Sequence, residues 1–196
     1  MHRQCQAARA ALDPLPGRGE SLRALAGRAG ALAAVDFRFL VDPTRDLLAI
    51  GWNADEDRLD DGHYDLLASE MRLGVFVAIA AGQLPQRAWF ALGRRIATLG
   101  GRGVLLSWSG SMFEYLMPML VRPSYDDTLL GEAVRGAVER QMRYGRQRGV
   151  PWGISESGYH ATDAQLNYQY RAFGVPGLGL QRGLAADLVV APYATV

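Results

Sequence analysis

Apolar residues recur at helical spacing along much of the chain, and they predict a mainly α-helical protein. The stretch 62–81 has apolar residues on nearly every side, so we expect a helix that is buried on more than one face. The stretch 127–148 is amphipathic, with an excess of arginine toward its C-terminal end. The predicted helices cover residues 3–12, 20–34, 62–81, 84–97, 111–121, 127–148 and 163–173.

Two segments depart from the helical pattern. The apolar runs FRFLVD (37–42) and LLAIGWN (47–53) flank an Asp-Pro pair, which predicts a small β-hairpin. The stretch PWGISESGYH (151–160) follows neither the helical nor the strand period, and it predicts a loop. The stretch GVPGLGLQRG (174–183) predicts a glycine-rich loop, with glycines at the wrong spacing for a dinucleotide or phosphate fingerprint.

Composition places the chain among globular proteins. It has 196 residues, of which 49% are hydrophobic and 21% are charged. The net charge of +1 gives no electrostatic case for nucleic acid as a partner, and no basic stripe accompanies the aromatic residues. The single cysteine, Cys5, excludes an internal disulfide framework. The histidines are scattered, so we expect no metal site and no cofactor.

The most apolar stretch, residues 104–121, is the strongest candidate for a membrane span. It contains Glu114 and Pro118, which make a spanning helix costly. We therefore expect buried core with a turn, and a soluble segment.

Two glutamates are candidates for acid/base chemistry. On the helix predicted over 62–81, Glu70 has Leu66, Leu73 and Val77 on its face. Removal from water there raises a carboxyl pKa, as a general acid needs, although a structural ion pair with Arg72 is the alternative. Glu156 has Ser155 and Ser157 as possible hydrogen-bond donors, and such donors favour the charged carboxylate. A solvated loop glutamate is the alternative there.

Glu114 is a third carboxylate in aromatic, low-charge surroundings. It is the lone charge in an apolar run and is flanked by Trp108, Phe113 and Tyr115. At a helix N-terminus it would satisfy the backbone donors of SWSGS, and substrate binding or catalysis is the alternative. Two carboxylates with pKa values pushed apart are the working parts of glycoside chemistry, and flat aromatic rings suit sugar faces.

Four long stretches carry a family resemblance: YDLLASEMRLGVFVAIAAGQLPQRAWFALGR, LLSWSGSMFEYLMPMLV, RQMRYGRQRGVPWGISESGYH, and LNYQYRAFGVPGLGLQRGL with the AADLVVAPYAT that follows it. With these stretches the chain resembles the glucoamylase-like central domain of cyclic β-1,2-glucan synthases, from about Asp36 onward. The resemblance implies a partial (α/α)6 toroid with the hairpin as an insertion, a piece of a larger barrel. Residues 1–35 are then a helical N-terminal segment, and residues 36–196 an incomplete toroid domain.

The resemblance also implies an activity. Enzymes of this type close linear β-1,2-glucan into a ring by retaining transglycosylation, and related domains hydrolyse the same glucan. An endo-β-1,2-glucanase and an inactive glucan-binding piece are therefore the alternatives. The implied partner is β-1,2-glucan, together with the rest of a multidomain synthase on the cytoplasmic side of the inner membrane.

Carried onto this sequence, the family's motifs match Glu156 in GISES to the nucleophile and Glu70 in LLASE to the acid/base. The resemblance implies substrate contacts for a further set of residues: Glu114, Trp108, Trp152, Tyr159, Asn167, Tyr168 and Tyr170.

Overall fold

A computed structural model describes residues 18–195 of the chain. The chain divides after Phe37 into two units. The first contains helix α1, Arg18–Ala33, whose side chains are almost all exposed. The helix predicted over residues 3–12 lies outside the described residues, and so does Cys5. The predicted domain boundary at residues 35 and 36 stays a prediction.

The second unit combines helices with short hairpins. Its α-helices are α2, Ser69–Ala80; α3, Arg87–Ala91; α4, Met112–Leu116; and α5, Leu129–Arg148. Its strands pair antiparallel as β1 with β2 (Val41–Asp42, Leu47–Leu48), β3 with β4 (Trp52–Asn53, Arg58–Leu59), β5 with β6 (Ile96–Leu99, Arg102–Leu105), and β7 with β8 (Glu156–Thr162, Tyr168–Ala172). Single 3-10 turns cover Arg38–Leu40, Met117–Leu120 and Pro192–Thr195.

Several predicted elements are confirmed. Helix α5 starts behind Thr128, whose side chain accepts a hydrogen bond from the N–H of Gly131, and it ends at Gly149, whose φ of 67° is left-handed. Helix α4 with the 3-10 turn after it fills the predicted stretch 111–121. The predicted hairpin forms as β1 and β2, with Val41 opposite Leu48.

Three predictions were wrong in element type. The predicted helix 163–173 is a turn followed by strand β8, in which Tyr168, Tyr170 and Ala172 alternate with polar residues at the period of a strand. The predicted loop 151–160 becomes strand β7 from Glu156 onward, since β8 supplies its hydrogen-bonding partner. The predicted helix 84–97 ends at Ala91, and its last residues form β5.

The predicted helix 62–81 begins late, at Ser69. Asp65 is the reason, because its Oδ1 accepts the backbone N–H of Leu67 at 2.8 Å and of Ala68 at 3.1 Å. A side chain that bonds the backbone two and three residues onward holds a turn instead of a helix. The sequence predicted one hairpin and the structure contains four, so residues 18–195 form a mixture of helices and small hairpins.

Helices α4 and α5 pack at the centre of the second unit. Small residues on one face of α5 let it approach β6 closely, because a Cβ at Gly136 would come within 2.5 Å of Val104. The buried Tyr115 of α4 donates its hydroxyl to the carbonyls of Leu105 and Leu178. These contacts fix the stretch 105–116, which forms one wall of the site described below.

No helix among residues 18–195 is both long enough and apolar enough to cross a bilayer. The apolar stretch 104–121 instead contains the end of β6, a serine-rich turn, α4 and a 3-10 turn.

Candidate active site

A cavity of about 900 Å³ opens on the second unit, and four of the residues predicted for the site line it. They are Glu70, Trp108, Glu114 and Glu156. The carboxylates come from three different places in the chain: the start of α2, helix α4 and the start of β7. The fold therefore gathers residues that are up to 86 positions apart (156 − 70).

Glu156 stands at the end of a buried, tightly held segment. The side chain of Gln141 on α5 is fully buried, donates to the carbonyl of Ile154 at 2.8 Å, and accepts the N–H of Ile154 at 2.9 Å. The N–H of Met112 donates to the same carbonyl at 3.2 Å. Two helices thus fix the backbone two residues before Glu156, so that its carboxylate is placed by packed structure.

The donor to the Glu156 carboxylate is Tyr170 of the neighbouring strand, whose hydroxyl bonds Oε2. The predicted donors were Ser155 and Ser157, and this was wrong for Ser155. Its hydroxyl accepts the N–H of Phe113 at 2.9 Å and bonds the hydroxyl of Tyr193 at 2.9 Å. Within residues 18–195, Ser157 makes no hydrogen bond to the Glu156 carboxylate.

Two tyrosines therefore hold the start of β7. Tyr193 donates to the backbone carbonyl of Glu156 at 2.8 Å, while Tyr170 holds its side chain. The bond to the Glu156 carboxylate raises the pKa of Tyr170 above its usual range, with some burial adding to the effect. The phenol consequently remains a donor throughout the neutral range.

Glu70 lies in the first turn of α2, and its Oε2 accepts the hydroxyl of Ser69 at 2.7 Å. Its side chain is exposed, so the predicted removal from water was wrong. The cause is the late start of the helix: Leu66 lies before α2 and cannot cover Glu70 as a mid-helix neighbour would. Within the described residues Glu70 forms no ion pair with Arg72, which was the alternative.

Glu114 is buried, with 8% of its surface exposed, and its own loop occupies its carboxylate. Oε2 accepts the hydroxyls of Ser107 at 2.7 Å and Ser109 at 2.5 Å and the N–H of Ser111 at 3.1 Å, and Oε1 accepts the N–H of Ser109 at 3.2 Å. Glu114 and Ser111 form a capping box on α4. The interpretation as a helix N-terminal carboxylate is thereby confirmed.

The predicted aromatic residues are divided between the cavity and the hairpin. Trp108 is 65% exposed and lines the cavity. Tyr159 packs edge-on against Phe173, with ring centroids 5.0 Å apart. The ring of Tyr168 lies where a Cβ on Gly158 would be, so glycine is needed there for the ring to cross β7. Trp152 is outside the set that lines the cavity.

Asn167 shapes the β7–β8 turn. Its N–H donates to Asp163 Oδ1 at 2.8 Å and its side-chain amide donates to Oδ2 at 3.0 Å. These bonds hold the turn in place, and the predicted contact of Asn167 with substrate stays a prediction.

Sequence reasoning missed two charged residues of the cavity, Asp65 and Arg95. Burial raises the pKa of the Asp65 carboxyl, against the lowering effect of its bonds to the N–H groups of Leu67 and Ala68. Arg95 is exposed and acts on Asp65 through its charge. The pattern gave no signal for either, since both fell inside stretches that read as helix.

Within residues 18–195 no cluster of three or more His, Cys, Asp or Glu side chains could hold a metal ion. Four carboxylates line the cavity: Glu70, exposed at a helix start; Glu156, fixed by a phenol; Glu114, buried and bonded by its own loop; and Asp65, bonded to the backbone before α2. Two accessible carboxylates beside an exposed indole are suited to acid/base and nucleophilic work on a sugar.

Comparison with known proteins identifies the family of the chain. Over 163 residues, which are 83% of this chain, the sequence is 51% identical to the cyclic beta-(1,2)-glucan synthase NdvB of Rhizobium meliloti (strain 1021). The match covers 6% of that protein, so the chain spans only a small part of the relative's length. The predicted resemblance is confirmed. Because residues 62–196 match the family model described as "Putative glucoamylase", the chain belongs to this glucoamylase family.

Proposed function

We propose that the cavity acts on β-1,2-glucan by retaining transglycosylation, as one part of a cyclic β-1,2-glucan synthase. The observation that carries the proposal is that Glu70 and Glu156, matched to the catalytic pair by their motifs, line one cavity with the exposed Trp108. The 51% identity to a synthase of cyclic β-1,2-glucan supports this choice of glucan.

In the first half of the proposed reaction, Glu156 attacks the anomeric carbon of a glucosyl unit. The bond to the leaving glucan oxygen breaks as a proton reaches that oxygen from Glu70, directly or through a substrate hydroxyl. A glycosyl-enzyme ester on Glu156 results. The fixed backbone before Glu156 and the Tyr170 hydroxyl on Oε2 hold the nucleophile in place for this attack.

In the second half, the 2-hydroxyl at the non-reducing end of the same glucan attacks the anomeric carbon of the glycosyl-enzyme, and the bond from that carbon to Glu156 breaks. Glu70, now charged, takes the proton of that hydroxyl, and the carboxylate of Glu156 is released. Two displacements at one carbon retain its configuration. Trp108 offers a flat face on which sugar units can pack near the two glutamates.

The scaffold of this reaction is proposed to be part of an (α/α)6 toroid whose remaining helices lie in a larger, membrane-associated synthase. Membership of the glucoamylase family and the small share of the relative covered by the chain support this arrangement. The remaining predicted aromatic contacts, Trp152, Tyr159, Tyr168 and Tyr170, belong in this proposal to the walls of the sugar path.

The test uses the 196-residue chain and linear β-1,2-glucan, with products separated by mass. Ring products, which are 18 Da lighter than linear chains of the same length because a ring has no free ends and so lacks the elements of one water, support transglycosylation. Short linear oligosaccharides identify an endo-β-1,2-glucanase instead. Binding without any product identifies a glucan-binding piece and overturns the catalytic assignment. Glu139→Gln, on the exposed face of α5, is the matched control.

A further inference from the structure

A second, smaller cavity of about 290 Å³ lies beside helix α2 and is separate from the one that contains the glutamates. Residues of α2 contribute to each: Glu70 lines the larger cavity, and Arg72, two positions along, lines the smaller one. The smaller cavity is also lined by the arginines Arg94 and Arg122. No aspartate or glutamate of residues 18–195 lines it.

Arg72 is an unusual buried charge. Only 3% of its surface is exposed, and the one hydrogen bond of its guanidinium within the described residues is from Nη2 to the carbonyl of Glu114 at 3.3 Å. Its Nε has no partner among those residues. Burial, together with the charge of Arg122, lowers the pKa of Arg72 to about 10. A buried guanidinium without a carboxylate is costly unless an anion accompanies it.

The other charges nearby leave this one uncompensated. Arg94 donates to the carbonyls of Trp89, Phe90 and Leu92, so three of its five N–H donors are occupied. Asp65 acts on Arg72 through its charge, but it lines the larger cavity and its Oδ1 accepts two backbone N–H groups. Neither residue accepts a hydrogen bond from the Arg72 guanidinium.

Arg122 is the third arginine that lines the smaller cavity. Its guanidinium stacks over the rings of Phe76 at 4.5 Å and Trp89 at 5.2 Å, which holds it near the cavity without using its N–H donors. Ser124 also lines the cavity. Two planar guanidinium groups that line one cavity suit the bidentate hydrogen bonding of an oxyanion.

We propose that Arg72 and Arg122 bind a small oxyanion in this cavity, either a free phosphate-type anion or a carboxylate. The same chemistry can come from an inorganic anion in solution or from an acidic side chain of polypeptide outside these 196 residues.

The test is calorimetric titration of the 196-residue chain with inorganic phosphate and, separately, with acetate. We expect saturable binding with one site. Arg72→Met should weaken it at least about tenfold, because charge-assisted hydrogen bonds to a buried site are lost. Arg122→Gln should weaken it less, because Arg122 is only half-buried. Arg102→Met is the matched control: it removes one positive charge from a surface arginine paired with Glu132 and Glu139, and should leave binding unchanged.

Thermal unfolding gives a second readout that does not depend on glucan turnover. Phosphate should raise the unfolding midpoint of the native chain and of Arg102→Met, but not that of Arg72→Met. Without phosphate, Arg72→Met should be at least as stable as the native chain, since an uncompensated buried charge has been removed. Phosphate bound more tightly than acetate identifies a free dianion as ligand, and equal binding identifies a carboxylate. No binding of either probe to the folded chain, or equal binding by Arg72→Met, would overturn the proposal.

Discussion

Glu114 and Glu156 occupy similar sequence settings and different structural ones. Each follows a serine-containing stretch and lies between a tryptophan and a tyrosine. Glu114 is buried and accepts four hydrogen bonds from its own loop. Glu156 is half-buried, one of its oxygens accepts the hydroxyl of Tyr170, and no donor among residues 18–195 reaches the other.

The contrast shows what separates a structural carboxylate from a candidate catalytic one. A carboxylate can accept about four hydrogen bonds, and a carboxylate that has filled them within its own loop has no capacity for substrate. The surrounding residue types do not reveal this, because serine and aromatic neighbours accompany the two glutamates alike. The free oxygen and the open cavity distinguish Glu156.

The largest expected effect is that of Glu156→Gln on turnover of linear β-1,2-glucan. An amide cannot act as the nucleophile, so the rate should fall by more than about 10⁴-fold. Because Glu156 is half-buried, the free energy of unfolding should change by less than about 1 kcal/mol. Rates by product mass and unfolding in urea check the two parts. Turnover close to that of the Glu139→Gln control would contradict the assignment.

Glu70→Gln should lower the rate by roughly 10²–10⁴-fold, as expected for loss of a general acid/base. An aryl glycoside of β-1,2-glucan, whose phenol leaves without protonation, separates the two roles. Its first step should be largely recovered in Glu70→Gln and not in Glu156→Gln, giving a burst of phenol in the former. A burst in Glu156→Gln would exchange the two roles.

Glu114→Gln tests the other half of the comparison. Its amide would place a donor against hydroxyl and N–H donors in a buried loop, so the free energy of unfolding should fall by about 2–4 kcal/mol. Turnover per folded molecule should be retained, since the Glu114 carboxylate accepts its hydrogen bonds from its own loop and not from substrate. Urea unfolding and rates corrected for the folded fraction are the measurements. Unchanged stability with lost turnover would reverse this interpretation.

Tyr170→Phe should have a smaller effect, a roughly tenfold loss of rate with little change in stability, because the exposed phenol serves the carboxylate rather than the core. Without this donor the Glu156 carboxylate is held less firmly for its attack on the anomeric carbon, so kcat should fall while KM changes little. Rates over a range of glucan concentrations check this. A raised KM with unchanged kcat would indicate that Tyr170 contacts substrate instead.

The smallest effect concerns Asp65, whose pKa is raised by burial from the ordinary value of 3.8. A raised pKa means that the protonated form is favoured in the folded state, so this contribution is present below pH 3.8 and is lost as pH rises through the folded pKa. Asp65→Asn keeps the Oδ1 acceptor and removes the titration. Its unfolding free energy relative to the native chain should therefore increase with pH. A difference independent of pH would contradict the burial effect.

Local patterns predicted the parts of the fold that local interactions decide. Helix α5 has an amphipathic period, a threonine cap and a terminal glycine, and it formed as expected. The hairpin β1–β2 has apolar runs around a turn. Strand β7 contains three small residues (Ser157, Gly158 and Ala161) and no alternation, and it exists because β8 lies beside it. A partner strand is not visible in the local sequence.

The site was predictable in its residue identities but not in its contacts. The motifs pointed to Glu70 and Glu156, which share a cavity. The bonds that hold Glu156 come from Tyr170 and Tyr193, which are 14 and 37 residues away. The exposure of Glu70 depended on where α2 begins, and the side chain of Asp65 decides that.

Trapping of the covalent intermediate tests the central claim most directly. Glu70→Gln is mixed with the activated aryl glycoside, quenched in acid within the burst, digested and analysed by peptide mass spectrometry. The account predicts a glycosyl mass increment on the peptide that contains Glu156, and on no peptide that contains Glu114. An increment on another carboxylate, or turnover of the substrate without any covalent increment, would contradict it.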